Sequence, residues 1–460
     1  MQAQLTSSFR DPAGFLFRHE GVLYRQVNSL YREDYDHLIT SGLYRKLIDK
    51  GLLIPHEEAS LDLARSDQAY KILRPQEISL ISYPYEWSFS QLKAAALATL
   101  NVQKIAFEHG MTLKDSSAYN IQFLDGKPIL IDSLSLERYQ EGAVWVPYRQ
   151  FCQHFLAPLA LMTYTDVRLS GLLRVFIDGV PLDLTARLLP FRARFRLSLL
   201  LHIFVHANTQ RRYQDKTLDE KTQARKTTRQ AFLGLLDNLE SGVKKLDWKP
   251  EGTAWADYYN DDSYNTTAFA HKKQLVAEMI DTAAPESVWD LGANTGVFSR
   301  IASEKGIYTA AWDIDPGAVE INYRELVQKR EKNLLPLLLD LTNPSGAIGW
   351  AEAERMSFSE RAPVGMVMAL ALIHHLAIAN NVPLVSVAEF LANLCEWLLI
   401  EFVPKSDKKV QTLLATRVDI FPDYTSEGFE TAFQGYFRIE RREPIKESQR
   451  ILYLMRKTTP

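Results

Sequence analysis

Cysteine is nearly missing from this chain. Its 460 residues include two, Cys152 and Cys395, far apart and in apolar surroundings. That excludes a disulfide framework and a cysteine-based zinc cluster. An excess of charge of either sign is also missing. The formal net charge of −3 gives no global argument for a polyanionic partner. The longest apolar run, LSLLLHIFVHA from Leu197 to Ala207, is too short to cross a bilayer. MQAQLTSSFRDP has no apolar core of the kind a signal peptide carries, so a cytoplasmic protein without a membrane span is expected. Hydrophobic content of 46% and charged content of 24% are those of a globular chain, with length for two or three domains.

What is present centres on SVWDLGANTG, Ser287 to Gly296. A β-favouring run meets an acid, Asp290. Gly292, Asn294 and Gly296 then stand two residues apart, and VFSRIASEK reads as a helix. Strand, small-residue turn and helix open a βαβ unit. The glycines let the chain turn sharply and let a ligand approach backbone N–H groups. The next β-rich run, IYTAAWDID, ends in Asp313 and Asp315, placed to hydrogen-bond the hydroxyls of a ribose. The spacing is not the G-x-G-x-x-G of nicotinamide-binding domains.

DLGANTG followed by AWDID resembles motif I and the following acid of class I S-adenosylmethionine (SAM) methyltransferases, with Asn294 in place of a central glycine. Asn tolerates the backbone angles involved. YPYEWSFSQLK, LKDSSAYNIQF and IEFVPKSD are similar to stretches of bacterial proteins related to the nodulation protein NoeA. The resemblance implies a seven-stranded Rossmann-like α/β domain over about 251–460. Its SAM site would draw on Asp290, Gly292, Asn294, Gly296, Asp313, Ile314, Asp340 and Leu341. Asp340 ends a third strand in NLLPLLLDL; in the family that position often binds the adenine amine, with the neighbouring Leu341 against the ring. VGMVMALALIHHL reads as a central strand buried on both faces that delivers His374 and His375, the candidate bases, to the ligand edge. A supporting loop explains the same histidines. Glu401 and the Pro404-Lys405 turn are placed beside the acceptor pocket. Tyr258, Tyr259, Tyr264 and Lys273 either touch the methionine end of SAM or belong to an N-terminal helix pair. FRIERREPI and RILYLMRK close the sheet as an antiparallel pair.

The first 145 residues read as α+β. GFLFRHEGVLYRQVN is a hairpin, YREDYDHLITSGLYRKLIDKGLL a helix stopped by Gly51, and SFSQLKAAALATLNVQKIAFEHG a helix capped by Ser88 or Ser90. In MTLKDSSAYNIQFLDGKPILIDSLSL, Asp115, Asn120 and Asp132 fall in the order of the catalytic segment of the protein-kinase and aminoglycoside-kinase fold. There the first acid orients a hydroxyl, and the Asn and last Asp hold magnesium on ATP. The resemblance implies a kinase-like domain and, by extension, Mg-ATP at Asn120 and Asp132. Against it, Ser133-Leu134 replace Phe-Gly, no glycine-rich phosphate loop is present, and Lys71 lies close to Asp115 for a strand lysine. A polar turn stitched by Asx hydrogen bonds explains the same residues without any ligand.

Residues 146–250 read as a helical extension and linker. Basic residues crowd 187–229: Arg187, Arg192, Arg194, Arg196, Arg211, Arg212, Lys216, Lys221, Arg225, Lys226 and Arg229. Such a surface can grip nucleic-acid phosphates, or it is a solvated helix face. The expected activity is methyl transfer from SAM to an unidentified acceptor, a small molecule or glycan or RNA. The rival is nucleotide binding or phosphotransfer by the kinase-like region.

Overall fold

A computed structural model describes residues 4–205, 226–250, 266–415 and 418–458. The chain divides into two compact units. One holds Met1–Trp248 with Ile348–Arg355, and the other Lys249–Ala347 with Met356–Pro460. The excursion Ile348–Arg355 carries no sequence signal that would assign it to the first unit.

The first unit begins with a hairpin, β1 (Gly14–His19) and β2 (Val22–Asn28). Glu20 and Gly21 both take positive φ at its tip, as a two-residue turn requires. β3 (His56–Ala59) and β4 (Ala69–Pro75) complete an antiparallel sheet in the order β1-β2-β4-β3. Val27 and Leu73 pack from it against Tyr31, Tyr35 and Leu134. The expected single helix from Tyr31 to Gly51 is broken. Gly42, at φ +79°, separates Arg32–Thr40 from Leu43–Asp49, because a left-handed residue cannot continue a right-handed helix.

Helix Phe89–Glu108 begins at Ser88, whose hydroxyl accepts from Gln91 N while Gln91 Oε1 accepts from Ser88 N. β5 (Met111–Leu113) pairs with β8 (Leu136–Arg138). Between them β6 (Ile121–Leu124) and β7 (Lys127–Leu130) turn at Asp125-Gly126. Helix Arg229–Lys244 lies on Phe89–Glu108, with the Phe107 and Phe232 rings stacked 4.3 Å apart.

The second unit is a seven-stranded mixed sheet in the order β11-β10-β9-β12-β13-β15-β14. Its strands are β9 (Ser287–Leu291), β10 (Tyr308–Asp313), β11 (Leu334–Leu338), β12 (Val364–Ala369), β13 (Cys395–Phe402), β14 (Phe437–Pro444) and β15 (Ile451–Lys457). The first five are parallel, and β15 and β14 are antiparallel, so the sheet fits the class I methyltransferase fold. Pro336 sits inside β11, which is tolerated because β11 is an edge strand. One face buries Met366, Met368, Leu399 and Leu452 under Leu275, Val276 and Met279 of helix Thr266–Ala283. The other packs Trp289, Trp312 and Phe358 ring against ring. β12 ends at Ala369, earlier than its apolar run suggests. His374 and His375 therefore lie on the turn beyond it, where His375–Ala379 winds as a wide π turn.

Candidate functional site

Strand register builds the site. Asp290 of β9 lies level with Ala311 of β10 and Met368 of β12, and Asp313 is level with Leu338 of β11. All these strands run the same way, so their acids emerge at one edge. There a cavity of about 310 Å³ is lined by Asp290, Gly292, Asn294, Asp313, Ile314, Asp340 and Leu341, together with Lys272, Phe298, Trp312 and His375.

The turn after β9 is fastened to β10. Gly292 N and Ala293 N both donate to Trp312 O at 2.9 Å, and Asn294 N donates to Asp313 Oδ2 at 2.7 Å. Gly292 and Asn294 take φ +76° and +51°, which point those N–H groups at the neighbouring strand. Asp313 also accepts from Asp315 N at 2.8 Å. Burial raises its carboxyl to about 6 despite those hydrogen bonds. The second acid, Asp315, caps helix Pro316–Lys329 by accepting from Gly317 N, so the two acids of AWDID have different work. Asp290 is raised further, to about 7, by burial, and accepts from Ser299 Oγ at 2.6 Å. Asp340 Oδ1 accepts from Thr342, and Leu341 stands beside it in the lining.

Two expectations change. Gly296 does not line the cavity. At φ +81°, a Cβ there would fall 2.4–2.7 Å from the Asn322 side chain, so this glycine serves turn-to-helix packing. His374 is 1% exposed and lies behind His375, with ring centroids 4.2 Å apart. Burial holds both imidazoles below their ordinary range, His374 well below. Only His375 faces the cavity.

The sequence reading missed Lys272. Lys273, one residue on, lies over the Phe269 ring, whereas Lys272 is 2% exposed and lines the cavity. A helix turns about 100° per residue, so one step exchanges solvent for core. Lys272 Nζ lies 2.6 Å from Glu401 Oε2 and 4.5 Å from the Phe298 ring centre. Glu401 thus holds a buried cation in the cavity lining, and Arg450 approaches its other oxygen at 3.5 Å while binding Asp407 at 2.8 Å. Lys405 pairs with Asp419, and with Pro404 it lines a separate cleft. Ala371, also in the lining, is held at φ +51°, a strained angle for alanine. Tyr258, Tyr259 and Tyr264 lie outside the described residues.

In the first unit, Asn120 Nδ2 donates to Ser135 Oγ at 3.2 Å, and Ser135 donates to Asp132 Oδ2 at 2.6 Å. The expected pair is therefore joined through a serine. The other oxygen, Asp132 Oδ1, pairs with Arg25 and accepts from Leu134 N. Burial pushes this carboxyl up, but Arg25 and the hydrogen bonds outweigh it and hold it below its ordinary range. Asp115 accepts from Ser117 N in an Asx turn, and Lys71 pairs with Glu58. Arg25 already neutralises Asp132 and puts a positive charge where a magnesium ion would stand, so these residues do not fit that ion as they stand. Among the described residues, no cluster of three or more His, Cys, Asp or Glu is placed to hold a metal, and no helix is long and apolar enough to cross a membrane.

No family model matches the chain. Nodulation protein NoeA of Rhizobium meliloti (strain 1021) is 37% identical over 457 residues, covering 98% of this chain and 95% of the relative. The chain belongs to the NoeA family. Among solved structures, this chain is similar over 44% of its length to magnesium protoporphyrin IX methyltransferase (ChlM) from Synechocystis PCC 6803 with bound SAH. That match has 18% identity, 93% of that chain covered and a TM-score of 0.31. N-methyltransferase NodS from Bradyrhizobium japonicum WM9 matches over 42% of this chain and 99% of its own, with 9% identity and a TM-score of 0.30. WbdD matches over 44% of this chain and 43% of its own, with 13% identity and a TM-score of 0.31.

Proposed function

We propose that this NoeA-family chain is a SAM-dependent methyltransferase whose cofactor lies in the cavity at the β9–β12 edge. The observation that carries the reading is the Asn294 N to Asp313 Oδ2 bond at the mouth of that cavity, with Asp340 on the next strand end. It sets an acid beside a small-residue turn, the arrangement that suits a ribose. The residues fit the cofactor in three further ways. Asp340 brings a carboxylate to the lining for an amine, Leu341 offers an apolar face, and Trp312 Nε1 is buried without a partner among the described residues. Lys272, rather than Lys273, is the lysine in the cavity lining, with its charge matched by Glu401.

SAM supplies a methyl group already activated by its sulfonium. The chain's part is to bind, orient and exclude water, and positioning alone is worth on the order of 7–11 kcal/mol. His375, neutral and facing the cavity, is the residue placed to take a proton from an acceptor; His374 supports it from behind. The acceptor is a small molecule or glycan, the class that suits a nodulation-type relative, with RNA the alternative. The reading keeps three parts: a kinase-like region over 1–145, a helical extension over 146–250 and the methyltransferase domain over 251–460.

Calorimetric titration with SAM tests it. Binding to the wild type and not to folded Asp313→Ala is the expected result; no binding to the wild type overturns the reading. Mg-ATP is titrated in parallel. Heat with Mg-ATP that Asp132→Ala abolishes would instead favour phosphotransfer in the first unit, a reading the Arg25–Asp132 pair argues against.

A further inference from the structure

Large apolar side chains cluster at the surface of the first unit, in the part of the helical extension that precedes residue 206. Phe191 is 68% exposed, Phe195 78% and Leu197 63%, with Leu200 and Leu201 also exposed. Two of them are in contact. The Phe191 and Phe195 rings meet edge to face with centroids 5.5 Å apart on one short turn, Phe191–Phe195. The next turns, Leu197–Leu199 and Leu200–Val205, follow directly in the chain. Five exposed apolar side chains within eleven consecutive residues, two of them in contact, are the kind of cluster that marks an interaction surface.

The cations around it decide the partner. Arg192 donates to Tyr164 O, Arg194 lies over the Phe191 and Phe204 rings, and Arg196 donates to the Tyr164 hydroxyl. None of the three meets a carboxylate among the described residues. Phe195, Arg196 and Leu197 also border a cavity of about 230 Å³ whose wall includes Lys245, Asn238, Ser241 and Ser198. The Ser198 hydroxyl is buried there with no hydrogen-bond partner among the described residues. An orphaned hydroxyl in a cavity that Arg196 and Lys245 also line suits a phosphate oxygen.

We propose that this patch docks the chain on an anionic phospholipid surface. Phe191, Phe195, Leu197, Leu200 and Leu201 enter the headgroup–acyl boundary. Arg192, Arg194, Arg196 and Lys245 stay at headgroup level, their apolar stems along the patch. Aromatic and aliphatic side chains beside arginines are the composition of an interfacial anchor. RNA fits less well, because bases stack on aromatic rings but gain little from exposed leucines. Binding of this kind is peripheral and requires no spanning helix.

The test is co-sedimentation of the full chain with vesicles of phosphatidylcholine alone and of phosphatidylcholine with phosphatidylglycerol. Binding is expected to the second and not the first. Phe195→Glu with Leu197→Glu should lower the partition at least about tenfold, since charge is costly at the boundary. Arg196→Gln with Lys245→Gln should remove much of the dependence on phosphatidylglycerol, again by about tenfold. The substituted residues are exposed or at the rim, and an unchanged thermal melt shows that each variant still folds. Failure of the wild type to sediment with the anionic vesicles overturns the proposal. So does partition unchanged in Phe195→Glu/Leu197→Glu. Two further measurements assign the patch elsewhere if the same variant abolishes them: binding of a labelled single-stranded RNA, or dimerisation without vesicles.

Discussion

Lys272 and Glu401 form an ion pair at 2.6 Å in which neither side chain is more than 2% exposed. Taking two charges out of water is costly, and removing one partner leaves the other buried and unpaired. Burial lowers the Lys272 ammonium's affinity for its proton, and Glu401 restores part of it. Glu401→Gln should therefore destabilise the second unit by about 3–5 kcal/mol. Lys272→Met should cost less, because Glu401 keeps Arg450 at its other oxygen. Urea unfolding of the two variants checks the ranking, and equal losses would contradict the two-cation arrangement.

Asp313 and Asp290 set a pH dependence. Their folded values, about 6 and about 7, lie above the ordinary carboxyl value. The folded state thus keeps these protons longer than the unfolded chain. The stability they contribute is fully present below about pH 4 and is lost as pH rises through 6 to 7, with no further change above. Ribose binding makes the opposite demand, since an ionised Asp313 is the stronger acceptor. SAM affinity should rise with pH through about 6. Asp313→Asn should flatten that profile and weaken binding at neutral pH by about 1.5–3 kcal/mol. Calorimetry across the range measures both effects.

Gly296→Ala should damage the fold before it damages the cofactor site. Its Cβ meets Asn322 at 2.4–2.7 Å, and its φ of +81° is left-handed. The combined cost is about 2–4 kcal/mol. Denaturant unfolding should show that loss, and SAM should still bind the fraction that stays folded. Undiminished stability would mean that the turn relaxes freely.

Arg25→Gln should remove an acid-sensitive contribution from the first unit. Asp132 is held below the ordinary carboxyl range, so its stabilising share is present above about pH 4 and is lost as pH falls through the folded value. Without Arg25 that slope should shrink, and stability at neutral pH should fall by about 1–3 kcal/mol. Acid titrations of the wild type and variant, followed by tryptophan fluorescence, give the comparison.

Much of the lining of the candidate cavity was legible in the sequence. The DLGANTG turn, the strand ending in Asp313 and the strand end before Asp340 are local signals, because turn chemistry and strand alternation act over a few residues. The hairpin at Glu20-Gly21 and the cap at Ser88 were legible for the same reason. The break at Gly42 was also written locally, but an amphipathic pattern that runs through it hides it. Helices Lys408–Leu414 and Ser426–Gln434, between β13 and β14, were missed.

What the sequence by itself determined is the run of backbone conformations and the acids it delivers to one sheet edge. The tertiary structure alone decided which charges neutralise which. Lys272 meets Glu401, and Arg25 meets Asp132, from elements far apart in the chain. It also turned Lys272 rather than Lys273 inward and set Gly296 against Asn322. Backbone preference is a property of a residue and its neighbours in sequence. Charge pairing and close packing are properties of whatever the fold brings within a few ångströms.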